Sequence, residues 1–293
     1  MTGNVIEIEK LTKMYGKNRG ITEVSFDVKE GEIFGFIGPN GAGKTTTLRL
    51  LVGLIFPTSG GAKIFNKDIV QFGSTIRADI GYLPSEIFYY ENMKVIDLLN
   101  YSASFYKKDS TQRIKDLSER LELDLNRKID ELSYGNKKKV GIVQGLLHAP
   151  KLIILDEPTS GLDPLMQHEF FEIIREENSR GASVLFSSHI LGEVQRLCDR
   201  LAIIKEGTII RIDEVAALRN EAYKRFKITS ADGLSEADLP MSEINDFRHE
   251  GNEFSFIYRG NLNSIIKSIS QHEIIDIQIE EPTLEEIFMH YYE

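Results

Sequence analysis

Short apolar runs alternate with stretches in which apolar residues recur every three or four positions, and this alternation persists to about residue 215. It predicts an α/β domain with a largely buried sheet. Val5–Ile8, Glu23–Val28 and Glu32–Ile37 read as strands, the last ending at a glycine-rich turn, and the helical stretch Thr45–Leu54 follows. Ala62–Phe65 and Asp79–Leu83 also read as strands. Between residues 92 and 147 the period is helical: Ile114, Leu117 and Leu121 share a face, as do Val140, Val143 and Leu147. This segment predicts an all-helical insert between sheet halves. Leu152–Leu155 and Val184–Phe186 are uniformly apolar and end in polar turns, the pattern of central parallel strands. Arg200–Ile204 and Thr208–Ile212 flank Glu206-Gly207, which predicts a hairpin.

Periodicity weakens and charge rises over Asp213–Tyr223, which predicts a linker. Beyond it, Lys224–Ile228, Glu253–Tyr258 and Ile274–Ile279 read as strands and Leu262–Ile269 as a helix. Thr283-Leu284-Glu285-Glu286 has the form of a capping box opening a last helix, with Leu284, Ile287, Phe288 and Tyr291 on one face. The expected organisation is a large domain over 1–215, with its helical subdomain at about 86–150, and a small α+β domain over 216–293.

Composition narrows the functional classes. The 293 residues carry 35 Lys+Arg against 45 Asp+Glu, a net charge of −10, with 41% hydrophobic and 27% charged residues. That balance suits a globular chain rather than a disordered one. The acidic charge argues against sequence-independent binding of nucleic acid, which needs a positive footprint. The one cysteine, Cys198, rules out a disulfide framework or a cysteine-built metal site within one chain. The most apolar run, Leu48–Phe56, contains Arg49 and is far too short to span a bilayer. No secretory signal is expected at Met1–Glu7, so the chain is expected in the cytoplasm.

Candidate chemistry begins at Gly38-Pro39-Asn40-Gly41-Ala42-Gly43-Lys44-Thr45, followed by Thr46. The spacing fits G-x-x-x-x-G-K-[ST] between a predicted strand and a predicted helix, the context that motif needs. Glycines let backbone N–H groups face phosphate oxygens, and the helix N-terminus adds about half a positive charge. Lys44 would reach the β- and γ-phosphates, and the Thr45 hydroxyl would ligate Mg²⁺. A second candidate is Asp156-Glu157, at the end of the apolar strand Leu152–Leu155. Strand alternation sends the two carboxylates in different directions. Asp156 is expected to contact the Mg²⁺ shell and Glu157 to act as general base toward water.

With these motifs in place, the sequence resembles the nucleotide-binding subunits of ABC transporters over about residues 4–212. Leu132-Ser133-Tyr134-Gly135-Asn136 is similar to the signature usually written L-S-G-G-Q, and Ser160-Gly161-Leu162-Asp163 to the D-loop. Ser187-Ser188-His189 resembles the switch-histidine segment, and Tyr15 stands where the family stacks an aromatic on adenine. The resemblance implies a P-loop NTPase fold of ABC type, with a mixed sheet core, a helical subdomain and the small C-terminal α+β appendage. It implies ATP and Mg²⁺ as cofactors, His189 at the γ-phosphate, and Ser133 and Gly135 serving the ATP of a second copy. It further implies an ATP-dependent homodimer and a separate polytopic membrane subunit that holds the chain at the inner face of the membrane.

Three positions depart from the family pattern. Ser85 stands where the family has a glutamine that touches the metal; serine could do so only through water. Tyr134 replaces a glycine and Asn136 a glutamine, while Ser133 and Gly135 are kept. Ser133 also reads simply as a helix N-cap, and Lys137-Lys138-Lys139 as a solvated face. The aromatic stretch Ile87-Phe88-Tyr89-Tyr90 through Phe105-Tyr106 is expected near the groove where membrane subunits dock, or packed within the helical subdomain. The small appendage ending in Pro282–Phe288 resembles the C-terminal extension of ABC exporter ATPases, including those for antibiotics such as bacitracin and for lipids or sodium.

Other classes fit less well. DNA-associated relatives carry long coiled coils between phosphate loop and signature, whereas the stretch from Lys44 to Ser133 has no sustained heptads. Translation-linked relatives carry two such domains and basic linkers. A soluble ABC-type ATPase acting as an assembly factor remains the alternative.

Overall fold

The computed structural model describes residues 3–89, 92–220, 223–231 and 233–280. Contacts divide the chain into two compact units, Met1–Val215 and Ala216–Glu293. In chain order the first unit holds β1 (Asn4–Tyr15), β2 (Asn18–Lys29), β3 (Ile33–Ile37), α1 (Lys44–Leu51), β4 (Ser59–Ile64), β5 (Lys67–Asp68), α2 (Gly73–Arg77) and β6 (Ile80–Leu83). It continues with α3 (Val95–Ala103), α4 (Thr111–Arg120), α5 (Tyr134–Leu146), β7 (Leu152–Asp156), α6 (Pro164–Ser179), β8 (Ser183–Ser188), α7 (Leu191–Leu197), β9 (Arg200–Lys205) and β10 (Thr208–Glu214). After α8 (Val215–Asn220), the second unit contains β11 (Tyr223–Ser230), β12 (Ile244–Glu250), β13 (Glu253–Arg259), α9 (Leu262–Ile269) and β14 (Ile274–Glu280).

Two sheets build the first unit. One is antiparallel, in the order β2-β1-β4-β5; the other has six strands in the order β10-β9-β3-β8-β7-β6. Within the second, β9, β3, β8, β7 and β6 run parallel and β10 pairs antiparallel with β9. β3, β7 and β8 are buried at every position, which is why their sequences are unbroken apolar runs. Between the sheets lies a core containing Ile6, Val24, Phe26, Phe34, Leu48 and Ile154, with the Phe26 and Phe34 rings stacked at 5.3 Å. Parallel strands bring all their C-terminal ends to one edge, and the turns after β3, β6, β7 and β8 open there. That edge is where open α/β sheets bind ligands.

The second unit is a four-stranded antiparallel sheet, β12-β13-β11-β14, with α9 burying Ile265 and Ile269 on the core of Phe226, Phe256 and Tyr258. The expected α+β class is what forms. The last helix expected from Thr283 onward lies outside the described residues.

Three details differ from the expectations. β1 and β2 are each 12 residues long, well beyond the apolar runs, because register shifts at Ile8/Leu11 and Leu11/Lys13 break the two-residue alternation. The expected linker over Asp213–Tyr223 instead contains the end of β10 and all of α8. β10 is an edge strand with alternate residues exposed, so the strand read over Thr208–Ile212 runs on through Asp213 and Glu214, whose charge had marked them as linker. β12 was not anticipated, since this edge strand buries only Ile244.

Candidate active site

The phosphate loop joins β3 to α1. Gly43 precedes the helix at φ +110°, a backbone shape closed to other residues at low cost, and a Cβ there would stand 2.5 Å from Ile21 Cγ2. Lys44 is therefore delivered as the first residue of α1, and the Thr47 hydroxyl donates back to the Gly43 carbonyl at 3.0 Å. The Lys44 ammonium is buried, donating to the carbonyls of Gly38 at 2.7 Å and Pro39 at 3.1 Å, and lies 3.2 Å from Glu157 Oε1. Gly38, Pro39, Asn40, Gly41, Ala42, Thr45 and Thr46 surround this lysine as the loop and first turn of α1.

Opposite stands the end of β7. Asp156 is fully buried; its Oδ1 accepts a 2.9 Å hydrogen bond from Ser187 Oγ, while its Oδ2 meets no donor among the described residues. A buried carboxylate oxygen without a partner is costly unless a cation or an ordered water completes it. Glu157 turns away from the strand with φ +47°, which points its side chain along a different course from that of Asp156. Its two oxygens are divided between Lys44 and His189: Oε2 lies 3.4 Å from His189 Nδ1. The sequence-expected separation of the two carboxylates is thus realised, through a backbone turn rather than strand alternation alone.

Behind His189 sits a network with no motif of its own. Glu193 on α7 accepts from Thr159 Oγ1 and from Ser188 Oγ, both at 2.6 Å, and Ser188 Oγ accepts from the Ile190 N–H at 2.9 Å. These bonds fasten the turn after β7 to the turn carrying His189. Thr159 and Glu193 are supporting residues that sequence reasoning left out of the site. Ser187 and Ser188 entered it only as the lead-in to His189, without a role of their own, and nothing local marks Glu193.

The signature segment opens α5. Ser133 is its N-cap, accepting from the Asn136 N–H at 3.3 Å, and Gly135 lies against Gly161, whose carbonyl a Cβ at Gly135 would approach to 2.6 Å. Lys137-Lys138-Lys139 is not a solvated face. Lys138 is 1% exposed and Lys139 8%, because α5 packs its second turn under the loop after β6. Lys138 Nζ donates to the carbonyls of Pro84 and Ser85 at 3.1 and 3.2 Å. Burial pulls this ammonium down to about 8, against the pull of Asp156 and then Glu157. Ser85 is engaged through its backbone, also accepting from Tyr134 Oη at 3.3 Å. Tyr15, at the end of β1, is half exposed, with the Lys13 ammonium 5.5 Å from its ring centre.

The residues fit a magnesium nucleotide. Among the described residues no cluster of three or more His, Cys, Asp or Glu could hold a metal. Mg²⁺ does not require one, since it binds through one or two protein oxygens plus waters and substrate phosphates. The uncompensated Asp156 Oδ2 is such an oxygen.

A phosphate loop at the C-terminal edge of a parallel sheet, facing an Asp-Glu pair, defines a P-loop nucleotide hydrolase. The comparisons narrow the class. A family profile described as "ABC transporter" matches residues 21–160. Bacitracin transport ATP-binding protein BcrA of Bacillus licheniformis is 32% identical, the match covering 97% of this chain and 96% of that one. Linearmycin resistance ATP-binding protein LnrL of Bacillus subtilis is 30% identical over 97% of each. A solved ATP-binding subunit of an ABC transporter superposes with a TM-score of 0.70 at 32% identity, covering 74% of this chain and 92% of that chain. A dimeric bacterial ABC transporter cassette, at 24% identity and TM-score 0.67, shares the fold. The chain belongs to the ABC transporter ATP-binding subunits, and it binds and hydrolyses ATP.

Proposed function

We propose that this chain energises an exporter by ATP-driven closure of a head-to-tail homodimer on a separate membrane-spanning partner. The observation that carries the hydrolytic half is the Lys44–Glu157–His189 contact chain, which aims one carboxylate at the place where the cradle would hold a terminal phosphate. Backbone N–H groups of Gly41 to Thr45 bind the phosphates and Lys44 bridges the last two. Tyr15 stacks on adenine. Thr45 and Asp156 would hold Mg²⁺, with Ser85 reaching it through water, and the ion would supply charge neutralisation at the phosphates. Glu157 takes the proton of the attacking water, and His189 steadies Glu157 and the γ-phosphate. Ser133 and Gly135 face the ATP of the second copy, where the capped N-terminus of α5 lends its dipole.

Likeness over nearly full length to two ATP-binding proteins named for bacitracin transport and linearmycin resistance supports the exporter reading. The coupling surface is the aromatic cavity of about 330 Å³ beside α3 and α5, lined by Tyr82, Ile87, Phe88, Tyr89, Tyr101 and Phe105. Phe88 is 88% exposed and Phe105, which packs against the exposed Tyr101, 70%, an exposed apolar patch of the kind that marks an interaction site. A short apolar helix of the membrane subunit fits this chemistry, and docking of that kind would hold the chain at the inner face of the membrane. No helix among the described residues is long and apolar enough to cross a membrane.

Purification of tagged chain from detergent-solubilised source membranes tests this reading. A stoichiometric polytopic protein is expected, reduced about tenfold by Phe88→Arg. Recovery with soluble partners only would overturn the exporter reading in favour of an assembly factor.

A further inference from the structure

α5 carries Tyr134 and Lys138 one turn apart on the same face, and both donate to one acceptor, the carbonyl of Ser85; Lys138 adds the carbonyl of Pro84. The Tyr134 ring also lies over Gly161, where a Cβ would strike it. A tyrosine thus stands in the signature where the family has glycine, a serine where the family has glutamine, and the first holds the backbone of the second. The register pairs Leu83 on β6 with Leu155 on β7, so Pro84 and Ser85 continue beside Asp156 and Glu157. A lysine 1% exposed is an expensive way to fill space, since an apolar side chain of the same length would pack there without desolvating a charge. Its retention asks for a role that methionine could not perform.

We propose that Tyr134 and Lys138 are positioning residues that hold the Ser85 segment at the metal side of the site, replacing by two backbone-directed hydrogen bonds the side-chain reach that serine lacks. The inference rests on the reading of Ser85 as a water-mediated metal contact. Tyr134 and Lys138 touch neither nucleotide nor metal. They fix the carbonyls from which the Ser85 side chain and the loop's N–H groups are hung, and they tie that segment to the end of α5 that faces the second copy.

The test uses the full chain with Mn²⁺ as the metal probe, its free concentration read by electron paramagnetic resonance in the presence of ATP. Lys138→Met is expected to raise the half-saturating Mn²⁺ concentration by about tenfold, the usual effect of losing a residue that orients a metal contact, and Tyr134→Phe by roughly threefold. Metal-free ATP affinity in chelator stays within about twofold of wild type, kcat falls with KM for ATP unchanged, and Lys138→Arg restores most of both. Tyr134 is half exposed, so Tyr134→Phe folds even where Lys138→Met does not, and it keeps the test decisive. Ser85→Ala separates the two readings. An unmoved Mn²⁺ midpoint in Ser85→Ala overturns the reading of Ser85 as a metal contact and this proposal with it; a raised midpoint there beside unmoved midpoints in the other two variants overturns the positioning role alone. Unmoved midpoints in folded Tyr134→Phe and Lys138→Met overturn the proposal, as does a parallel loss of metal-free ATP affinity.

Discussion

The phosphate loop and the signature segment both sit at the start of a helix and both are read by their backbone, yet they are built differently. In the loop, every motif position is present, and the geometry leaves no latitude: Gly43 is at φ +110° with Ile21 against it, and Lys44 is held by the loop's own carbonyls. In the signature, the cap and Gly135 are kept, but two other positions have changed, and the first of them is held by a contact outside the motif, beside a lysine that reaches the same loop. Tyr134 reaches Ser85, and Lys138 reaches Pro84 and Ser85. A loop that must wrap one phosphate group closely constrains each residue separately. A segment that presents a helix end to a neighbour constrains only the few atoms that approach it, and the rest can be exchanged for a different scaffold.

The contrast can be broken at its strictest point first. Gly43→Ala forces a Cβ into both a positive φ and the Ile21 side chain, and is expected to cost about 3 kcal/mol of stability and most ATP affinity, read by thermal unfolding with and without nucleotide. The signature should be more forgiving. Ser133→Ala removes the N-cap acceptor for the Asn136 N–H and is expected to cost about 1 kcal/mol, with ATP affinity of the isolated chain unchanged. A loss as large as that of Gly43→Ala would erase the distinction.

The far end of α5 gives the smallest effect. His148 stacks on Tyr106 at 3.9 Å, its Nε2 shares a 3.1 Å hydrogen bond with the Ile80 carbonyl, and burial holds its pKa down to about 4. The unfolded chain takes up this proton near pH 6.5, so stability falls as pH drops from about 6.5 toward about 4. Between pH 7 and 6 the expected loss is about 0.7 kcal/mol. Denaturant unfolding at the two pH values reads it, and His148→Phe removes that share of the difference.

What was legible in the sequence follows the same division. The β3–α1 loop, the Asp156-Glu157 pair and the buried strands β7 and β8 announced themselves because their chemistry or burial fixes consecutive residues. Ser133 was readable as a cap for the same reason. The burial of Lys138 was not, because three consecutive lysines at the start of a helix resemble a wet surface until tertiary packing places the loop after β6 above them. Glu193 was equally hidden: its role depends on Thr159, far away in sequence and joined to it only when β7 and β8 pair. The edge strand β12 was missed, and the last two residues of β10 were read as linker, because an edge buries too few side chains to leave a pattern.

The central claim, that two copies close on ATP with Glu157 as the hydrolytic base, is tested most directly by Glu157→Gln in analytical ultracentrifugation. The substitution keeps a side chain of the same size beside Lys44 and His189 while removing the base. Hydrolysis is expected to fall by at least about 100-fold, and with saturating Mg-ATP the variant should sediment as a dimer that reverts to monomer when nucleotide is removed. A variant that stays monomeric with nucleotide bound, or that hydrolyses ATP at the wild-type rate, would contradict the account.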